Sequence, residues 1–225
     1  MATTLLEPPA IEQVNPRPLP LHARVGMTGH PPVEMSYADF LQNKGLPHKH
    51  FEYVEGKAVE MPAVSDAHDQ LTKWLIVTMG NFVLDRKLGQ IKGEPWTIHI
   101  PATNRGRAPD VMVVLNDNVK YIEDNQINGP ADLVVEVASP STSSVDRGTK
   151  FREYQSVGVR EYWLVHPLRP HFEPFVLEEG RLAPSVPDAN DVYHSVAVPG
   201  LWYKVDWFRD RPAPSDVIKA WEQGA

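Results

Sequence analysis

The sequence predicts one mixed α/β domain in which a long helix, three strands, a second helix and a fourth strand follow one another. Three observations predict it. Between Ser65 and Gly89, the residues Leu71, Trp74, Leu75, Thr78, Met79, Phe82 and Val83 recur at helical spacing, and Ser65-Asp66 supply a capping start. Three β-rich runs come next, Gln90 to Ile100, Val111 to Leu115 and Leu133 to Ala138, parted by loops of Pro, Gly and Asn. Helical spacing returns from Ser144 to Val157 through Phe151, Tyr154 and Val157, and after Gly158 the segment Glu161-Tyr162-Trp163-Leu164-Val165 reads as a short buried strand.

The flanking segments read as additions to this core. Residues 1–32 carry Pro8, Pro9, Pro16, Pro18, Pro20, Pro31 and Pro32 with little apolar periodicity, which predicts a flexible tail before a domain spanning 33–225. Ser36 is placed to cap a short helix whose Tyr37, Phe40 and Leu41 share a face. Phe51 to Val54 and Lys57 to Met61 flank Glu55-Gly56 and predict a hairpin. Beyond Pro170, HFEPFVLEEGRLAPS with Glu179-Gly180 at its tip, DVYHSVAVP and LWYKVDWF predict further β-hairpins that extend the sheet, and Ser215 to Trp221 a closing helix.

Composition narrows the function. A chain of 225 residues, 42% of them hydrophobic, is long enough to bury a sizeable core. Its 22 Lys+Arg against 29 Asp+Glu give a net charge of -7, so a nucleic-acid partner would have to be met by a local basic patch. Zero cysteines exclude disulfides, thiolate zinc sites, iron-sulfur clusters and a cysteine nucleophile, leaving oxygen and imidazole as strong metal ligands. The start MATTLLEPPA lacks the features of a signal peptide and no apolar run approaches the ~20 residues needed to span a bilayer, so cytoplasmic residence is the expectation. There is no Walker loop, G-x-G-x-x-G, G-x-S-x-G elbow or H-E-x-x-H, and the corresponding ATPase, Rossmann, α/β-hydrolase and zincin readings lack their mechanical parts.

The chemistry concentrates in RAPDVMVV and DLVVEVASPSTSS, each of which sets one acid at the edge of an apolar strand. Burying a carboxylate there costs several kcal/mol unless a cation or hydrogen bonds compensate. Asp110 or Glu136 alone reads most simply as a strand-edge residue paired with an Arg or capping a turn. Together, on neighbouring strands, they could converge on one hard cation, with the backbone carbonyl of Val137 and waters completing its shell. Lys150, on the helix after the third strand, could be turned back over that strand's end to orient a metal-bound water or neutralise phosphate charge, although a lone helix lysine is usually solvated. Arg107, Arg147 and Arg152 read equally well as surface charges. His48-Lys49-His50 and Asp66-Ala67-His68-Asp69 could each give a ligand, but such histidines without a third spaced partner are usually structural.

These segments carry a resemblance. FEYVEGKAVEMP, the helix with His68, RAPDVMVV, DLVVEVASPSTSSVDRGTKFREY and GVREYWLV, over about Ser36 to Leu182, resemble the Uma-two family of restriction endonucleases, and SVAVPGLWYKVDWF is similar to its C-terminal hairpin. That family is assigned to the PD-(D/E)XK nuclease superfamily, which implies a restriction-endonuclease-like core. The resemblance makes Asp110 the first motif acid and Glu136 the second. Ala138 stands where the superfamily has lysine, a departure that the family is thought to repair with a lysine on the next helix, here Lys150. Glu52 matches an acid of the family's first hairpin, implying a contact behind the site, and Arg107 falls on a family position that touches substrate or braces Asp110. The implied activity is a Mg2+- or Mn2+-dependent endonuclease acting on DNA as a homodimer. A nuclease-fold protein that binds or assembles without turnover, and a hydrolase of smaller phosphate esters, remain open beside it.

Overall fold

The structure is a computed structural model and describes residues 31–47, 50–138, 146–169 and 171–224. The predicted tail, except Pro31 and Pro32, lies outside the described residues, as do His48, Lys49 and the Ser139 to Ser144 loop. Two six-stranded sheets and a separate two-stranded pair account for the described strands.

The first sheet gathers Val33–Glu34 (β1), Phe51–Val54 (β2), Lys57–Glu60 (β3), Thr97–Ile100 (β5), Arg105–Arg107 (β6) and Gln126–Ile127 (β8), in the order β1-β3-β2-β6-β5-β8. The β2-β3 hairpin forms as predicted, with Glu55 and Gly56 both at positive φ. Such a turn matches the twist of the strands it joins. Tyr37–Leu41 (α1) packs on this sheet through Phe40, and Ser36 caps it by accepting a hydrogen bond from Asp39 N at 3.1 Å.

The second sheet runs Arg181–Pro184 (β12), Phe172–Glu178 (β11), Glu161–Val165 (β10), Leu133–Val137 (β9), Val111–Leu115 (β7) and Gly89–Lys92 (β4), in that spatial order. Strands β9 and β10 are parallel, which requires a crossover, and Phe151–Ser156 (α3) supplies it. Ahead of α3, Asp146–Lys150 forms a single π-helical turn. The long predicted helix is Asp66–Asp85 (α2), capped by Ser65.

Both faces of this second sheet are covered, which explains why VMVV, LVVEV and EYWLV read as nearly continuous apolar runs. One face sets Val111, Val113, Leu133, Val135, Trp163 and Val165 against Leu71, Leu75 and Met79 of α2. The other turns Met112, Val114, Val134 and Tyr162 toward Tyr154 of α3 and Ile98 and Ile100 of the first sheet. Strand alternation puts Glu136 on this second face, beside Val134.

One expectation needs correction. Gln90 to Ile100 is not one strand but two, in different sheets, because Gly93-Glu94-Pro95-Trp96 turns the chain (Trp96 N donates to Gly93 O at 3.0 Å) and Pro95 has no N–H for a ladder. Gly93 belongs at this corner: a Cβ there would lie 2.7 Å from the carbonyl oxygen of Asp110.

Toward the C-terminus, β11 and β12 extend the second sheet as predicted. Among the described residues, Val192–His194 (β13) and Trp202–Lys204 (β14) instead pair only with each other. Pro214–Gln223 (α4) closes the apolar face, its Trp221 ring edge-on to Phe82 at 5.0 Å. No helix among the described residues is long and apolar enough to cross a membrane.

Candidate active site

Asp110 directly precedes β7, and the antiparallel register of β7 and β9 pairs Val111 with Val135. Extending it by one residue sets Asp110 opposite Glu136. Asp110 Oδ2 accepts a hydrogen bond from Val137 N at 2.7 Å, so the first acid is bonded to the strand that carries the second. Its side chain is 14% exposed, and Oδ1 has no protein partner among the described residues.

Glu136 is enclosed by α3 and the π turn before it. Lys150, the last residue of that turn, places Nζ 2.9 Å from Glu136 Oε2 and 3.4 Å from Glu52 Oε1. Tyr154 donates to Glu136 Oε1 at 2.6 Å. The four-residue spacing of Lys150 and Tyr154 brings both over one helical face, where they clasp the carboxylate from two sides. Only 3% of Lys150 is exposed, so its charge depends on these acids rather than on water.

Behind Lys150 the ion pairs continue into the first sheet. Arg107 of β6, fully buried, donates to Glu52 on β2 and, at 2.6 Å, to Glu153 Oε2 on α3. Arg105, two residues away on the same strand face, donates to the other oxygen of Glu153 and to Glu55. Charges therefore alternate along Glu55, Arg105, Glu153, Arg107, Glu52, Lys150 and Glu136. Burial opposes ionisation of Glu52, but the Arg107 and Lys150 cations outweigh it and hold its pKa down at about 2. Burial first, and then the Glu136 and Glu52 carboxylates, push the Tyr154 phenol well above its ordinary value, so it serves as a hydrogen-bond donor.

The open side of the site is a cleft lined by His50, His68, Glu94, Asp110, Glu136 and Lys150. Its volume of about 50 Å³ suits an ion and a few waters. His68 lies in the first turn of α2 with Nε2 3.3 Å from Asp110 Oδ2. Burial opposes its protonation, but the Asp110 carboxylate wins and its pKa is raised. At the rim, His50 is hydrogen-bonded to Glu94, which raises its pKa to about 9 against the opposing effect of burial, and its Nε2 lies 2.9 Å from Pro62 O.

No three His, Asp or Glu side chains form a ready metal cage among the described residues. The donor set still fits a hard divalent cation, which needs only one or two carboxylates and keeps several waters. Asp110 and Glu136 both line the cleft, and a carboxylate oxygen that accepts one hydrogen bond has a second lone pair for a cation.

The structure thus brings Asp110, Glu136, Val137 and Lys150 to one cleft, with Glu52 directly behind. Arg107 departs from expectation. It is neither a surface charge nor open to substrate, because its guanidinium is 0% exposed and bound through Nη1 to Glu52 and through Nε to Glu153. Sequence reasoning passed over Tyr154, Glu153 and Arg105 and gave His68 little weight. The Lys150-x-x-x-Tyr154 spacing and the Arg105-x-Arg107 alternation were the available signals.

An uncharacterized protein of Synechocystis sp. is 31% identical to the chain over 133 residues, which cover 59% of this chain and 68% of the relative. A solved structure from Anabaena variabilis, described as a "putative nuclease belonging to DUF820", superposes with a TM-score of 0.57 at 18% identity, covering 83% of this chain and 98% of its own. That likeness shows the expected mixed α/β, nuclease-like fold. With the Uma2 profile, described as "Putative restriction endonuclease", matching residues 37–206, the chain belongs to the Uma2 family.

Proposed function

We propose that this protein is a Mg2+- or Mn2+-dependent endonuclease that hydrolyses phosphodiester bonds of DNA, with Asp110 and Glu136 holding the cation beside the carbonyl of Val137. One observation carries the reading: two carboxylates from paired strands and one buried ammonium meet at a single cleft. A bound divalent cation would lower the pKa of a coordinated water and offset charge on the phosphate. The chain's own groups do the rest. Lys150 adds positive charge where the phosphate becomes more negative, Tyr154 orients Glu136, and Val137 N fixes Asp110. Cleavage of both strands of a duplex calls for two sites, so the active species in this reading is a homodimer, acting in the cytoplasm.

Supercoiled plasmid, single-stranded DNA and RNA, each incubated with Mg2+ or Mn2+, test the reading. Cleavage of DNA by the wild type should fall at least ~100-fold in Asp110→Asn and Glu136→Gln, about 3 kcal/mol of transition-state stabilisation. Intact substrates under all these conditions would remove it.

A second reading has an observation of its own. Lys150 and Tyr154 each hydrogen-bond one oxygen of Glu136, as they would in a nuclease-fold protein that binds or assembles without turnover. That reading predicts DNA or protein binding that Asp110→Asn leaves unchanged.

A further inference from the structure

The ammonium of Lys150 lies between two buried carboxylates that are unequally satisfied. Glu136 Oε2 is 2.9 Å from Nζ, within hydrogen-bond range. Glu52 Oε1 is 3.4 Å away, an ion-pair contact, and, although buried, has no hydrogen-bond partner among the described residues. An unfilled acceptor in a dry site is costly. Glu52 cannot easily close the gap itself, since Arg107 holds its other oxygen and is itself anchored by Glu153. Lys150 can, because an ammonium on a flexible four-carbon stem has three donors to redistribute.

We propose that Lys150 is a two-position ammonium, held on Glu136 as in this structure and moving onto Glu52 Oε1 when a divalent cation occupies Asp110 and Glu136. Glu52 is then a positioning residue that sets cation affinity through Lys150. The inference rests on the cation-binding reading above. Its physical basis is repulsion: a dication on Glu136 would face an ammonium already bonded to the same carboxylate. Moving Lys150 into solvent would leave Glu52 buried with less compensation, whereas the short move toward Glu52 relieves the repulsion and fills the orphan acceptor. The ammonium also stays beside the cleft, where the phosphate would lie.

Calorimetric titration of Mn2+ into the full chain tests this with a readout other than activity. Lys150→Met should bind Mn2+ about tenfold more tightly than wild type and Glu52→Gln about tenfold more weakly, ordinary sizes for coupling between sites. In the Lys150→Met background, adding Glu52→Gln should change affinity less than about twofold, since the route through Lys150 is gone. Undiminished weakening by Glu52→Gln in that background would mean that Glu52 acts as a bare charge, and would overturn the proposal. So would a Lys150→Met protein that binds no more tightly than wild type. Should either variant fail to fold, the crystal structure of wild type with Mn2+ decides: Lys150 Nζ within about 3.0 Å of Glu52 Oε1 and withdrawn from Glu136 supports the shift, and Nζ still on Glu136 beside the ion overturns it. Failure of the functional reading looks different, because wild type would then bind no Mn2+ in a manner sensitive to Asp110→Asn.

Discussion

The two faces of the second sheet are buried to a similar degree by opposite means. Toward α2, the packing of Leu75, Met79, Val113, Val135 and Trp163 is apolar and closed by the rings of Tyr203, Phe208 and Trp221. Toward α3 and the first sheet, aliphatic and aromatic side chains give way at one end to alternating charges from Arg105 to Glu136. Hydrophobic packing alone could have filled that space, and buried ion pairs seldom stabilise more than apolar residues of equal volume. The difference teaches that the second face is organised around Glu136 and Lys150, with the arginines holding the acids charged and in place.

Substitutions on the two faces should separate these roles. Arg107→Ala should have the largest effect on stability, about 3–5 kcal/mol, because it leaves Glu52 and Glu153 buried and uncompensated; chemical denaturation measures it, and a loss under about 1 kcal/mol would mean that the charges are less buried than they look. Leu75→Ala on the apolar face should cost about 2–5 kcal/mol by the same assay. It should leave Mn2+ affinity per folded molecule at the wild-type level, and a changed affinity would show that the faces are coupled.

Acid should act on the ionic face first. The folded pKa of Glu52 lies near 2, below its ordinary 4.5, so its contribution is full above pH 4.5 and is lost as pH falls toward 2. Stability measured over this range should fall more steeply for wild type than for Glu52→Gln, and parallel curves would contradict the assignment. The smallest effect is expected at the exposed Asp69-Lys73 pair on α2, where Lys73→Ala should change stability by less than about 0.5 kcal/mol despite a 2.6 Å contact.

Much of the site was legible because carboxylates are conspicuous at the edges of apolar strands. The periodicity of 66–85 and the three apolar strand cores sufficed for the order of elements around the second sheet, and the acids in RAPDVMVV and DLVVEVA stood out against them. Tyr154 was less visible, since a tyrosine on the apolar stripe of a helix looks like core until its hydroxyl is seen to reach Glu136. The burial of Arg107 was hidden for a related reason: strand alternation tells that Arg105 and Arg107 share a face, but not that α3 covers that face with Glu153. The division of 90–100 between two sheets was hidden because a local apolar pattern does not say which partner strand will satisfy its backbone.

By itself, the sequence determined the features that local periodicity and residue chemistry dictate: the order of helices and strands around the second sheet, the cysteine-free oxygen and nitrogen ligand chemistry, and the candidate acids Asp110 and Glu136 with Lys150. The tertiary structure decided the features that depend on long-range pairing. The β7-β9 register puts Asp110 opposite Glu136, the π turn directs Lys150 inward, and the first sheet closes over α3 so that Arg107 is buried between Glu52 and Glu153, 55 and 46 residues away along the chain. Charges so distant in sequence compensate one another only after the sheets have folded together and excluded the water that would otherwise solvate each alone.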